Sequence, residues 1–169
     1  MVRKEFAEEK PMTVAKVLAG WLRAVTFIMA DANKEEVLDS MSAFFEKNNV
    51  KIPRSSLELD LKLVELFDLE QQLNLMERRG SPPTSTYDIW TNEVANFLES
   101  NGVIKSVPDP STFIDDKYMK MIKSDKQLED WALGKELAAS GSTMISSSNF
   151  VMVTSIVLLV FATFHYYDA

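Results

Sequence analysis

Residues 149–167 read NFVMVTSIVLLVFATFHYY, a stretch that contains no Asp, Glu, Lys or Arg. A helix built from residues 150–164 would carry apolar side chains on every side and would have no face suited to water. A bilayer core takes about 20 largely apolar residues in helical form, and residues 147–167 meet that length. Tyr166 and Tyr167 stand where membrane proteins place interfacial aromatic residues. The sequence therefore predicts a membrane-spanning helix here.

The alternative for this stretch is a buried core helix of a soluble domain, because short apolar runs often pack inside proteins. Its β-branched residues are also common in strands, although no alternation of apolar and polar residues is visible. The run is apolar all round and longer than most core helices, which favours the membrane. Residues 138–148, AASGSTMISSS, are small and Ser-rich and are predicted to form a linker.

The preceding part of the chain has the period of amphipathic helices. In the strongest such segment, apolar residues recur at the i, i+3, i+4 and i+7 spacing from Val14 to Met29. No convincing pair of strands is visible. We therefore predict an all-α fold, with a small helical soluble domain over residues 13–137 and one C-terminal transmembrane helix over residues 149–167. Residues 1–12 are predicted to form an N-terminal arm.

The apolar faces of the predicted helices indicate which side chains form the core. Two helix starts are marked by capping-box spacing, in which two residues three apart exchange side-chain to backbone hydrogen bonds. These pairs are Ser55 with Glu58 and Ser85 with Asp88. We expect a single core, and it should bury Trp21, Leu22, Val25, Phe44, Leu61, Val64, Trp90, Val94 and Phe97.

The composition limits the kinds of partner and chemistry. The 169 residues carry a formal net charge of −7. Binding nucleic-acid phosphates requires clustered Lys and Arg, so we expect no nucleic-acid partner. The sequence contains no cysteine, which excludes disulfides, Cys-based metal sites and thiol catalysis. The acidic N-terminal segment lacks an apolar run and is not expected to act as a secretory signal.

Two longer pieces of the sequence carry a family resemblance. The first is GWLRAVTFIMADANKEEVLDSMSAFFEKNNV at residues 20–50, and the second is WTNEVANFLESNGVIKSVPDPSTFIDDKYMKMI at residues 90–122. Over residues 14–123 the chain resembles the C-terminal part of ABC-transporter substrate-binding proteins of the nitrate, sulfonate and taurine type. The matching motifs are a helix junction and a closing segment, with the residues Asp31, Ala32, Asn33, Glu35, Glu36, Pro108 to Ser111, Phe113 to Asp115 and Tyr118.

The resemblance implies a common descent for the helices rather than a transport activity. Members of that family are much longer, two-lobed proteins that clamp a small anion between lobes of α/β structure. This chain has no room for the first lobe or for the strands that line the cleft, and no ligand-binding residue of the family falls on a matching position. We therefore expect no small-molecule substrate. A membrane-tethered remnant of such a solute-binding protein remains an alternative.

No catalytic constellation is visible, so we predict a protein that is not an enzyme, without a metal site. His165 is the only histidine, which excludes a histidine dyad. Near the end of a membrane helix, its imidazole is a candidate ligand for a chlorophyll magnesium or a haem iron. The alternative is an interfacial polar residue beside the two tyrosines. Adjacent carboxylates fall at predicted helix starts or on solvated faces, namely Glu8/Glu9, Glu35/Glu36, Glu58/Asp60, Asp115/Asp116 and Glu129/Asp130.

Small side chains on the predicted membrane helix mark a face where a neighbour can approach closely. Ser148, Ser155 and Ala162 are spaced seven residues apart and fall near one face. Membrane helices associate through close packing at small residues, so we expect this face to contact a protein partner. The phenylalanines lie largely elsewhere, where lipid, chlorophyll or carotenoid can pack.

These features favour a non-catalytic accessory subunit of a membrane-protein supercomplex. The helical domain and the single membrane helix are both expected to dock on other membrane-protein subunits, with the lipid bilayer around the helix. The acidic charge, the Phe-rich membrane helix and the single histidine favour a photosystem–antenna assembly in the plastid thylakoid. The alternative is an accessory subunit of a respiratory chain, in the mitochondrial inner membrane or a bacterial membrane.

Overall fold

Helices make up most of residues 2–135, the part of the chain that the computed structural model describes. The α-helices are α1 (Lys4–Glu9), α2 (Pro11–Met29), α3 (Lys34–Lys47), α4 (Arg54–Leu63), α5 (Leu69–Met76), α6 (Thr86–Ser100), α7 (Lys117–Ser124) and α8 (Lys126–Ala132), with 3₁₀ turns at Asp31–Asn33 and Pro110–Thr112. Extended pairing within this range is limited to Arg79 with Thr84. The predicted all-α fold is confirmed for this part of the chain. The predicted linker and transmembrane helix lie outside the described residues.

The buried side chains form two clusters rather than the single predicted core. The first joins α2, α5, α7 and α8 and contains Ala15, Ala19, Leu22, Leu69, Met119, Ile122, Leu128 and Ala132. The second joins α3 and α4 and contains Val37, Leu38, Met41, Phe45 and Leu57. Phe27 and Ile28, near the end of α2, pack against the second cluster. Helix α2 therefore connects the two clusters.

Helix α2 is also tied to α8 by polar contacts. Arg23 Nη1 donates a hydrogen bond of 3.1 Å to the carbonyl oxygen of Trp131, and the guanidinium lies 5.8 Å from the centre of the indole ring. Thr26 Oγ1 lies 3.2 Å from the carbonyl oxygen of Ala132. The last carbonyls of a helix have no partner within the helix, so these contacts satisfy the C-terminal end of α8.

By length and composition alone, α2 would qualify as a membrane-spanning helix, the one such helix found in residues 2–135. The core helix of a soluble domain passes the same test. In this fold Ala15, Ala19, Leu22 and Val25 are buried, and α2 makes its most extensive contacts with α7 and α8. We therefore interpret α2 as the core helix of the described domain.

Part of the predicted core is exposed. Leu22 and Val25 are buried as predicted. The prediction is wrong for four residues that remain substantially exposed, namely Val64, Trp90, Val94 and Phe97. The periodicity of a helix shows which face is apolar, but it does not show whether the chain supplies a surface to cover that face.

The two predicted capping boxes have different outcomes. At the start of α6, the backbone N–H of Asp88 donates to Ser85 Oγ at 3.1 Å, and the backbone N–H of Ser85 donates to Asp88 Oδ2 at 2.9 Å. This box is confirmed. The box at Ser55 and Glu58 is wrong, because the N-cap of α4 is Pro53, two residues before Ser55, and it makes no side-chain capping bond.

Candidate protein-docking surface

One side of α6 presents apolar side chains that the rest of residues 2–135 leaves substantially exposed. Ile89, Trp90, Val94 and Phe97 are 48%, 39%, 59% and 65% exposed. At about 100° per residue, the last three fall within about 60° of one another around the helix axis. We call these four residues the α6 apolar face. Contiguous exposed apolar surface on a folded domain is typical of interaction sites.

The opposite side of α6 is fixed to the domain by an ion pair. Arg78 Nε donates to Asp88 Oδ2 at 2.8 Å, and Arg78 Nη2 donates to Asp88 Oδ1 at 2.9 Å and to the carbonyl oxygen of Ile114 at 3.2 Å. The hydrogen bonds from Arg78, together with those from Ser85, lower the pKa of Asp88 to about 2. Because these bonds fix the rotation of α6 about its axis, they direct the apolar face outward.

Aromatic contacts hold Trp90 at one edge of the α6 apolar face. Its ring stacks on Phe67, with centroids 6.3 Å apart and planes inclined by 27°. Tyr87 meets the indole edge-on, with centroids 5.5 Å apart. The Tyr87 hydroxyl donates to Gln72 Oε1 at 2.7 Å, and burial raises the pKa of this phenol. These contacts restrict the orientation of the Trp90 ring.

A groove of about 810 Å³ continues the apolar surface beyond Trp90. It lies between the end of α2 and the α4–α5 region, and its apolar lining includes Leu59, Leu61, Val64, Leu66 and Phe67. Phe67 both lines the groove and stacks on Trp90. Phe67 therefore connects the groove with the Trp90 edge of the α6 apolar face.

The charged residues around the groove are mixed in sign. The carboxylates of Asp31, Glu58 and Glu65 line it together with the ammonium groups of Lys34 and Lys62. No single sign of charge therefore dominates the lining of the groove.

The adjacent carboxylates noted in the sequence serve helix starts and ion pairs. Glu35 lies in the first turn of α3 and pairs with Arg54 at 2.6 Å. Glu129 of α8 pairs with Lys123 at 2.7 Å. Within residues 2–135, no group of three or more His, Cys, Asp or Glu residues is placed to hold a metal ion. The Glu35–Arg54 pair is exposed, and exposed ion pairs contribute little stability individually.

The site residues predicted on the C-terminal segment lie outside the described residues. They are the candidate pigment ligand His165 and the candidate partner-contact residues Ser148, Ser155 and Ala162. Their roles remain predictions.

The apolar spacing of the sequence does not predict this exposed face, because it places Trp90, Val94 and Phe97 in the core. One sequence signal could have indicated it. Glu93 falls between Ile89 and Phe97 around the helix, so a carboxylate interrupts the apolar stripe. A helix face that packs in a closed core rarely carries a carboxylate.

No protein-family model, curated protein or solved structure matches this chain. The resemblance to substrate-binding proteins therefore stays a prediction. The exposed surface includes the aromatic side chains of Trp90 and Phe97, a residue class that often dominates the energetics of protein interfaces.

Proposed function

We propose that this protein is a non-catalytic accessory subunit that docks on a membrane-protein complex through the α6 apolar face. The observation that carries this proposal is the exposure of Trp90, Val94 and Phe97 on a helix whose opposite side is fixed by the Arg78–Asp88 ion pair. An apolar stripe left in water has no role in stabilising the isolated domain. Its burial under another protein would release bound water and favour association.

The membrane anchor in this proposal is the C-terminal stretch at residues 147–167. Its uniform apolarity and its length support this assignment. Helix α2 is the weaker candidate, because moving it into a bilayer would remove Leu22 from the first cluster and Phe27 from the second. A single anchor at the C-terminus leaves the helical domain intact at the membrane surface.

The finer proposal is a subunit of a photosystem–antenna supercomplex in the thylakoid membrane. It rests on the acidic net charge, on the phenylalanines of the membrane stretch and on His165 as a candidate chlorophyll ligand. In this proposal the small residues Ser148, Ser155 and Ala162 face a protein neighbour, and pigment or lipid packs on the rest of the helix. An accessory subunit of a respiratory chain is the alternative assembly.

Native electrophoresis tests this proposal. A tagged full-length chain would be expressed in the organism that makes it, and its membranes would be solubilised in mild detergent. We expect the chain to migrate with a pigment-containing complex whose subunits are then identified by mass spectrometry. Migration with respiratory enzymes would instead favour an accessory subunit of a respiratory chain over a subunit of a photosystem–antenna supercomplex. Migration as a free monomer would contradict the subunit role altogether.

A further inference from the structure

Glu93 is an ionisable side chain that lies next to residues of the α6 apolar face. Around the helix it falls between Ile89 and Phe97, and its neighbours one turn away are Ile89, Trp90, Asn96 and Phe97. Three of these neighbours are exposed apolar residues and the fourth is an amide. No cation is therefore available to Glu93 from its own helix.

The charge of Glu93 is also unpaired in the rest of the described domain. Helix α6 carries three carboxylates, at Asp88, Glu93 and Glu99, and no Lys or Arg. Asp88 is occupied by Arg78. Within residues 2–135, Glu93 has neither an ion pair nor a hydrogen bond from a side chain. In water the lack of a cationic partner does not destabilise the domain, because the Glu93 carboxylate is exposed and hydrated.

The position of Glu93 restricts what can cover the face. A partner that covers the whole α6 apolar face, from Ile89 to Phe97 around the helix, would remove water from the Glu93 carboxylate that lies between these two residues. Burying an unpaired charge is strongly unfavourable, whereas a hydrogen-bonded cation offsets that cost. A purely apolar helix would therefore bind poorly, and a partner with a cation at this point would be selected.

A second copy of the chain does not meet this requirement. In a symmetric dimer the same patch contacts itself. Two α6 apolar faces packed in this way would bring two Glu93 carboxylates into one apolar interface. Like charges in such a setting repel, so self-association through this face is disfavoured.

We infer that the α6 apolar face binds an amphipathic helix of a different protein, and that this helix carries a Lys or Arg within its apolar stripe that pairs with Glu93. This inference rests on the proposed function and specifies the chemistry of the partner. The apolar side chains of both helices supply the burial. The ion pair sets the register and rejects partners without a cation at that position.

Charge reversal at Glu93, with a matched control on the same helix, tests the inference. Full-length Glu93→Lys, Glu93→Gln and Glu99→Lys chains would be compared with wild type in membranes of the organism, by recovery of the intact complex in mild detergent. We expect Glu93→Lys to lower recovery by about tenfold or more, and Glu93→Gln to lower it less. Glu99→Lys introduces the same change of charge away from the face and should leave recovery unchanged.

A photo-cross-linking residue at position 97 would identify the partner helix in the same membranes. We expect the cross-linked peptide to contain a Lys or Arg within one helical turn, and reversal of that cation to Glu should restore recovery of the Glu93→Lys chain. The inference would be overturned if the Glu93→Lys chain were recovered in the intact complex as fully as wild type. A cross-linked helix without a Lys or Arg would also overturn it. A different result would contradict the proposed function itself. In that case, substitutions at Val94 and Phe97 would also leave the complex intact.

Discussion

The indole of Trp131 lies directly against Gly20, so closely that a Cβ atom on residue 20 would stand 3.3 Å from Cη2 of the ring. Trp131 belongs to α8 and Gly20 to the middle of α2. The missing side chain lets a large aromatic ring close the first cluster over Ala19 and Leu22. Glycine inside a helix costs about 1 kcal/mol relative to alanine, and here this close packing offsets the cost.

Gly20→Leu should therefore destabilise the domain. The added side chain must displace the Trp131 ring, and overpacking of this kind costs about 1–3 kcal/mol. The gain in helix propensity, about 0.8 kcal/mol, does not offset it. We expect a net loss near 1–2 kcal/mol in urea unfolding followed by helical circular dichroism. Val17→Leu on the same helix, at an exposed position, should change stability by less than about 0.5 kcal/mol. Equal stability of both variants would refute the packing at Gly20.

Asp88→Asn should weaken the domain in a pH-dependent way. The pKa of Asp88 lies at about 2 in the folded state, below the usual value of 3.8. The ionised carboxylate therefore adds stability above a pH of about 4, and this contribution is lost as the pH falls toward about 2. Hydrogen bonds to charged groups contribute about 1.5–3 kcal/mol, so we expect a loss of about 2 kcal/mol at neutral pH.

The measurement for Asp88 is the difference in unfolding free energy between wild type and variant as a function of pH. We expect this difference to shrink between a pH of about 4 and about 2. Glu99→Gln, an exposed carboxylate change on the same helix, gives the background. A difference between wild type and Asp88→Asn that is constant over that range would show that the Arg78–Asp88 pair does not depend on ionisation.

Residues 147–167 should span a bilayer as one helix. These residues would form a helix about 31 Å long, at about 1.5 Å per residue, which matches the hydrocarbon core. Full-length protein should stay in the membrane pellet during carbonate extraction, and deletion of residues 146–169 should release it. Complete extraction of the full-length chain would rule out the span.

Ser155→Leu combined with Ala162→Leu should loosen the protein from its complex without affecting insertion. Bulky side chains at these positions would prevent the close approach of a neighbouring helix. We expect carbonate extraction to give the wild-type result, while less of the chain is recovered with the complex. If recovery is undiminished, the membrane helix serves only as an anchor and the helical domain alone carries the docking.

Local features were the part of this structure that the sequence could predict. The apolar spacing around Leu22 and Val25 identified the central helix, and the spacing of Ser85 and Asp88 identified the start of α6, because each depends on residues within a few turns. The pairing of Arg78 with Asp88 was not predicted, since an irregular loop brings the arginine to the helix.

The exposure of the α6 apolar face depends on longer-range relationships. Trp90, Val94 and Phe97 have the spacing of a core face, and only the arrangement of the other helices determines that they stay substantially exposed in residues 2–135. The same holds for Gly20, whose role becomes clear once Trp131 is placed against it. The spacing of residues in one sequence shows which face of a helix is apolar. Which residues pack against that face depends on the assembled fold or on another protein.

The central claim is that the α6 apolar face binds another protein, and a pair of variants tests it most directly. Val94→Ser combined with Phe97→Ser removes apolar surface from the face. Phe113→Ser removes a phenylalanine of comparable exposure, 55% against 65% for Phe97, outside the face. Because all three residues are exposed, thermal unfolding of both variants should stay close to wild type.

The decisive measurement is the fraction of tagged full-length chain recovered in the intact complex after mild detergent extraction. We expect this fraction to fall about tenfold or more for the Val94/Phe97 double variant, since the loss of a hot spot of about 2 kcal/mol exceeds the 1.4 kcal/mol that corresponds to tenfold. The Phe113 variant should match wild type. Wild-type recovery of a correctly folded double variant would contradict the claim that this face is where the protein docks.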